Sequence, residues 1–192
     1  GGILIMYELN YINYHEIKNG KRKIWDLYLR AFPFEERCPF PIIRKKAKEG
    51  KGEFFGIFDE DNFVGLIYNI VYKDLVYIYY LAITETLRHQ GYGTKILNDI
   101  KKMYKDKRII LMAETVDPSA SNYQERVNRS KFYAKNSFVF QGYTIMEWGV
   151  NYDMLGAIPT TSRKEEFKEI IKYYFGDFFY DNIYINHTDI ED

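Results

Sequence analysis

With 192 residues, of which 46% are hydrophobic and 18% aromatic, the chain can build one domain around a sizeable core, and disorder is excluded. Its 27 basic residues balance 27 acidic ones, so no whole-molecule field draws it to nucleic acid or to an anionic membrane, and any anion must be held locally. The single cysteine, Cys38, excludes an internal disulfide and a multi-thiolate metal site, and fits a reducing, cytoplasmic location. No stretch approaches the roughly 20 apolar residues of a membrane span, and no basic region followed by an apolar run reads as a signal peptide.

In chain order, residues 6–12 alternate as a short first strand. Trp25, Tyr28, Leu29 and Phe32 then stand at helical spacing, and Pro33 ends that helix. The segment Phe32 to Pro41, with three prolines, is a sharp connection into a basic helix near Ile42 to Glu49. From Glu53 the period becomes that of strands: 54–58, a polar turn, 63–72, the Lys73-Asp74 turn, and 75–83. Turns this short imply an antiparallel meander. An amphipathic helix from about Gly91 to Tyr104 and a buried strand over Arg108 to Ala113 follow, and a helix between two strands is the crossover that makes this strand parallel to 75–83. A polar helix over Ser119 to Lys135 is anchored by Val127, Phe132 and Tyr133. Strands over 138–148 and 150–157, Pro159, and a last amphipathic helix over Ser162 to Tyr174 complete the pattern. The aromatic, then acidic, tail is expected to add an edge strand or a docked cover and to fray at its end. The pattern predicts an α/β (α+β) fold in a single domain over 1–192, with a core over about 6–157 and an added C-terminal helix and tail over 159–192. Its sheet is mixed, mostly antiparallel and twisted, of six to seven strands flanked by helices.

The stretch most suggestive of chemistry is Arg88-His89-Gln90-Gly91-Tyr92-Gly93-Thr94, which follows a strand and opens a helix. The first N–H groups of a helix lack internal partners, the macrodipole is positive there, and glycine lets an anion approach the backbone. The stretch lacks the Gly-Lys-Ser/Thr ending of a P-loop and the third glycine of a dinucleotide fingerprint. Its Arg-x-x-Gly-x-Gly spacing resembles motif A of the GNAT superfamily of N-acetyltransferases. The run Phe132-Tyr133-Ala134-Lys135-Asn136-Ser137-Phe138 is similar to that family's motif B, with Ser137 in place of the usual glycine and Asn136 as a substitute left-handed cap. The order of elements over 6–157 matches the family's throughout.

The resemblance implies an acetyl-CoA-dependent N-acetyltransferase acting on an amine of a small molecule or peptide by direct attack, as a monomer or homodimer without nucleic-acid or membrane partners. It implies that Arg88 and the amides of His89, Gln90, Gly91, Tyr92, Gly93 and Thr94 hold the coenzyme A pyrophosphate. Leu81, Ala82 and Ile83 then offer strand backbone to the pantetheine, and Tyr133 protonates the leaving thiolate, a role suited to a phenol of pKa about 10. Histone-type members carry a glutamate base in the third meander strand, where this chain has Tyr77; this argues against a copied base and against histone-like specificity. Glu114, at the end of the next strand, is the alternative base, or else a partner for Arg126 or Arg129. Asn122 reads as a cofactor contact or as the cap of the helix at Tyr123. Phe32-Pro33-x-Glu35-Glu36-Arg37, together with Glu114, Asn122, Glu125-Arg126 and Arg129, is similar to a bacterial subgroup of the family. Glu35, Glu36, Tyr77 and Tyr79 are the acceptor-side candidates, though exposed acids such as Glu35 and Glu36 read first as solvated charges at a helix start. His15, His89 and His187 lack ligand-spaced neighbours, so no metal is expected, and Cys38 has no histidine partner motif for acyl transfer. The contrasting expectation, from Tyr77 and Ser137, is a catalytically inactive coenzyme A-binding sensor or interaction module of the same fold.

Overall fold

The computed structural model describes residues 6–192. Seven strands form one mixed sheet in the order β1-β2-β3-β4-β5-β7-β6. They are β1 (Asn10–Asn13), β2 (Glu53–Asp59), β3 (Asn62–Tyr72), β4 (Leu75–Ile83), β5 (Arg108–Glu114), β6 (Phe138–Glu147) and β7 (Val150–Ala157). The helices are α1 (Lys21–Ala31), α2 (Phe40–Lys48), α3 (Tyr92–Met103), α4 (Tyr123–Lys135), α5 (Lys164–Phe175) and α6 (Asp177–Asn182). Among the described residues no helix is long and apolar enough to cross a membrane. The chain divides into two compact units: residues up to Asn69 with Tyr79–Asp106, and Ile70–Ile78 with Lys107–Asp192.

In the first unit β1 pairs antiparallel with β2, and β2 with β3, as the short polar turns require. The first strand is Asn10–Asn13, shifted from the expected 6–12, because the segment before it is drawn to a side chain. Asp99 of α3, fully buried, accepts from the amides of Glu8 (2.9 Å) and Leu9 (3.1 Å) and from the hydroxyl of Tyr11 (3.0 Å). In α1 the buried stripe is Ile24, Leu27 and Tyr28. Trp25 and Leu29 are 38% and 39% exposed, so the expected stripe is rotated by one position. Both stripes satisfy the helical period; shape decides, for a Cβ at Gly56 of β2 would stand 2.9 Å from Ile24 Cδ1. Each of those three side chains contributes on the order of 1.5–3 kcal/mol by burial.

In the second unit β4 pairs parallel with β5 from Leu75↔Arg108 to Ile78↔Leu111, as the helical crossover requires. Arg108 organises the surroundings of that ladder. It donates to both oxygens of Asp74 (2.8 and 3.0 Å) and both of Glu166 at the start of α5 (2.7 and 3.2 Å), while Glu166 Oε2 also accepts the Arg163 amide at 2.9 Å. These carboxylates hold the guanidinium more firmly protonated than usual. The tail docks as α6 and a 3-10 turn, with a single bridge between Thr188 and Glu147 in place of a full edge strand. Near its end Ile190 is buried, and Glu191 takes Lys168 and the Tyr180 hydroxyl (2.7 Å).

Gly65 of β3 lies so close to the neighbouring strand that a Cβ there would stand 2.1 Å from Ala82 O. Gly65→Ala must push β4 backbone aside, and urea unfolding is expected to show a loss of about 1–3 kcal/mol with an unchanged m-value.

Candidate active site

The first unit contains the glycine turn. Beyond β4, Thr84 N bonds Val64 O (2.9 Å), a 3-10 turn spans Glu85–Leu87, and the backbone becomes left-handed at His89 (φ +61°) and again at Gly91 (φ +86°), the N-cap of α3. Gly91 makes no side-chain cap, and no atom lies within 4 Å of where its Cβ would be. The amides of Tyr92, Gly93 and Thr94 precede that of Lys95, which bonds Gly91 O at 3.2 Å, so the helix presents its free donors and its positive end over an open glycine. The surrounding side chains stiffen the turn. Arg88 Nε donates to Ile83 O (3.2 Å), Gln90 Nε2 to Thr86 O (2.9 Å), and the Tyr92 hydroxyl to Asp59 (2.8 Å). The side chains of Gln90 and Tyr92 thus serve the fold, and only their amides remain for a ligand. Leu81 and Ile83 are half-buried and Ala82 is buried.

The Pro33–Pro39 connection is fastened to β4 by one tyrosine. The Tyr80 hydroxyl accepts the Cys38 amide (2.8 Å) and donates to Glu36 O (3.3 Å), while the Tyr28 hydroxyl donates to Cys38 O. Phe32 packs edge-on to Tyr80 with ring centres 4.8 Å apart. This puts Glu35 at the exposed surface and Glu36 half-buried, both in a 3-10 turn. Tyr79 is half-buried against Tyr68 and Tyr80 (6.2 and 4.2 Å). Burial pushes the Cys38 thiol up to about 12, Lys46 lowering it only in part, so it carries no thiolate at neutral pH.

The second unit contains Glu114 and Tyr133. Glu114, 9% exposed, accepts from Arg126 (3.1 Å), Arg129 (2.7 Å) and Asn122 Nδ2 (3.2 Å to each oxygen). Of the two roles expected for it, this is the partner role; its lone pairs are already engaged. Asn122 occupies the N-cap position of α4 without a side-chain cap bond, and its Oδ1 instead accepts from Arg126 Nε at 2.8 Å. It therefore joins the carboxylate to the guanidinium and does not cap the helix. No residue of α4 is fully buried; Val127, Phe132 and Tyr133 are half-buried. Tyr133 packs against Phe132 and Phe138 (5.3 and 5.9 Å). Burial raises its phenol pKa and Arg129 draws it back, so it stays a proton donor through the neutral range. The left-handed residue after α4 is Ser137 itself (φ +64°), not Asn136, whose amide side chain bonds Phe132 O at 2.8 Å.

Tyr77 differs from the expectation of an acceptor contact. It is 2% exposed and packs edge-on to Phe167 of α5 at 5.1 Å, because the added C-terminal helix covers that face of β4. Sequence reasoning passed over Glu147, at the end of β6, whose carboxyl is pushed up to about 7 by burial. An acid in the alternating pattern just before Trp148-Gly149 was the available signal. Among the described residues no group of three or more His, Cys, Asp or Glu side chains could hold a metal ion.

The profile of the acetyltransferase (GNAT) family matches residues 21–126. The comparison with curated proteins gives no match. Among solved structures, a protein from Bacteroides thetaiotaomicron assigned to the GNAT family is 20% identical, with a TM-score of 0.67 over 92% of this chain and 97% of that one. A Bacillus subtilis acetyltransferase in complex with CoA is 18% identical (TM-score 0.56; 78% and 97% covered). Spermidine N-acetyltransferase from Vibrio cholerae, in complex with CoA and spermine, is 13% identical (TM-score 0.60; 78% and 94% covered). At these identities the likeness concerns the fold.

The Glu114 cluster is testable by stability. Glu114→Ala leaves Arg126, with a side chain only 14% exposed, facing Arg129 without their shared anion, and a loss of about 3 kcal/mol is expected in urea unfolding. Replacing Arg126 by Met in the same chain should recover part of it, as a double-mutant cycle would show.

Proposed function

Because the chain belongs to the acetyltransferase (GNAT) family, whose profile spans residues 21–126, we propose that it is an acetyl-CoA-dependent N-acetyltransferase. It would transfer the acetyl group to an amine of a small molecule or peptide by direct attack in a ternary complex. The observation that carries this reading is the open, left-handed Gly91 at the start of α3, with the amides of Tyr92, Gly93 and Thr94 behind it. That arrangement fits a pyrophosphate: it offers successive donors and a helix dipole, and puts no side chain in the way. The CoA-bound neighbours from Bacillus subtilis and Vibrio cholerae support the choice of ligand.

Coenzyme A, when bound, supplies the acetyl group as a thioester. The chain's residues do the rest. The amides from His89 to Thr94 and the charge of Arg88 hold phosphate, with the Thr94 hydroxyl as a further donor. The main chain of Leu81, Ala82 and Ile83 would hold the pantetheine arm, and a backbone donor there would polarise the thioester carbonyl for attack by the amine. Tyr133 would be the proton donor for the thiolate, its phenol being restored by the proton that the nitrogen loses on becoming an amide. Glu114 is a positioning residue in this reading: its bonds to Asn122, Arg126 and Arg129 fix the first turns of the helix that carries Tyr133. Glu35, Glu36 and Tyr79 stand on the acceptor side, the first free in solvent and the other two shaped by Tyr80.

Tyr133→Phe is expected to lower kcat roughly 10²-fold or more, the usual worth of a general acid, and to leave CoA affinity within about twofold. Thiol release across an amine panel, with CoA binding by calorimetry, checks both. Gly91→Ala forces a side chain into φ +86° and should weaken CoA binding about tenfold with little change in the amine KM. Thermal stabilisation by CoA with no thiol release from any amine would instead identify a binding module.

A further inference from the structure

Glu147 is the last residue of β6, paired with Val150 across the Trp148-Gly149 turn. The pairing of Glu114 with Tyr152, and of Tyr152 with Ile145, sets this turn beyond the carboxyl end of β5, where open sheets receive ligands. One carboxylate oxygen accepts the Tyr184 hydroxyl, and Glu147 is half-buried, not sealed. The groups that face it or its contacts are few. Asp189 repels it while its own Oδ1 takes the Met146 amide (2.7 Å), and Lys164 is spent on Asp189 O (2.8 Å). His187 stacks on Trp148 at 5.5 Å. Tyr77 of β4 feels the charge of Glu147 and the presence of Tyr143 and Tyr152. Among the described residues no cation pairs with Glu147. Three other withdrawn acids are held differently, Glu114 by two arginines, Glu166 by Arg108 and Asp99 by two backbone amides, whereas the half-buried Glu53 and Asp59 also meet a tyrosine hydroxyl.

A desolvated carboxylate without a counterion is costly unless it takes up a proton or a cation comes from outside. The phenol of Tyr184 against it is the kind of ring that an alkylammonium prefers. We propose that Glu147, with the Tyr184 hydroxyl on one oxygen and Tyr152 near it on the paired strand, is the subsite for the cationic end of a primary aliphatic amine and takes a proton from it. This rests on the transferase reading above. In the step, one N–H bond of the ammonium breaks with its electron pair left on nitrogen. An O–H bond forms on Glu147, and the proton later leaves to solvent, restoring the carboxylate. A carboxyl that titrates near the working pH suits that exchange.

Glu147→Gln keeps the shape and an acceptor for Tyr184, and the Tyr184→Phe variant provides a second probe of the carboxyl. Because the folded carboxyl is raised from 4.5 to about 7, its contribution to stability is present below pH 4.5 and is lost as the pH rises through 7. The wild-type urea midpoint should show this fall between those pH values, and Glu147→Gln should flatten it; a slope unchanged by the substitution overturns the inference, whatever the activity. With 1,4-diaminobutane, spermidine and n-butylamine as probes, Glu147→Gln is expected to lower kcat/KM at least about 100-fold, to remove the acid limb of the pH profile near 7, and to leave CoA binding unchanged. Tyr184→Phe, which loses a bond that favours the carboxylate, should move that limb upward. A wild type that turns over any of these amines, beside a Glu147→Gln enzyme of equal kcat/KM and pH profile, overturns this inference alone. A wild type that binds CoA and acetylates no amine overturns the transferase reading and this one with it.

Discussion

The buried carboxylate of Asp99 is the constraint on which the placement of α3 depends. A helix laid on a sheet by Ile96, Leu97 and Ile100 is held by an apolar stripe, which is non-directional and tolerates sliding along the axis. Asp99, on the same face, removes that freedom, because two backbone amides and the Tyr11 hydroxyl converge on it. Lys102, 3.9 Å away, adds a partner from the helix itself. A carboxylate accepting three hydrogen bonds has a defined position, and so does the helix that carries it. Two turns earlier, Gly91 opens that helix, so the amides that would meet a ligand inherit their position from an acid that never touches it.

Arg108 plays the corresponding part in the second unit. Its guanidinium joins the turn before β4, the start of β5 and the first turn of α5, through the paired carboxylates of Asp74 and Glu166. Arginine suits the place because its planar donors engage two carboxylates at once, which an ammonium cannot do in fixed geometry. With α5 set this way, Phe167 lies on Tyr77 and the face of β4 beneath it becomes core. The added C-terminal helix therefore changes the chemistry of that strand, since a side chain that would otherwise meet solvent or substrate there is sealed off.

The elements were legible wherever a period and a punctuating residue agreed. The meander, the Gly91 helix start and the strand Arg108–Glu114 come out of alternation, short polar turns and the crossover rule, which depend only on local chemistry. The glycine turn was legible for the same reason, as a glycine opening a helix leaves its first amides with no side chain in the way. What was hidden is what depends on a partner distant in sequence. The stripe of α1 had two solutions of equal period, and the one observed seats Ile24 against Gly56 of β2, a partner distant in sequence. Asp99 reads as one more polar residue among lysines, because its partners lie about ninety positions away. The left-handed residue after α4 fell to Ser137 and not Asn136, since the Asn136 side chain is occupied by the carbonyl of Phe132 one turn back.

Glu114 and Glu147 show why residue type is a weak guide to acid–base role. Each stands at the end of a strand beside a turn and each is largely withdrawn from water, so the sequence treats them alike. Their difference lies entirely in what the fold brings to them. Two guanidiniums and an amide use both oxygens of Glu114, and a carboxylate so engaged serves as a fixed structural anion. Glu147 is withdrawn from water and faces a second acid, Asp189, which together disfavour its charge against the favourable bond from the Tyr184 hydroxyl. A proton acceptor must be able to exist in both forms near neutral pH, and burial moves Glu147 to where it can. Tyr133 follows the same logic from the other side: burial favours the neutral phenol and Arg129 moderates it, so the surroundings set its proton and not its residue type alone.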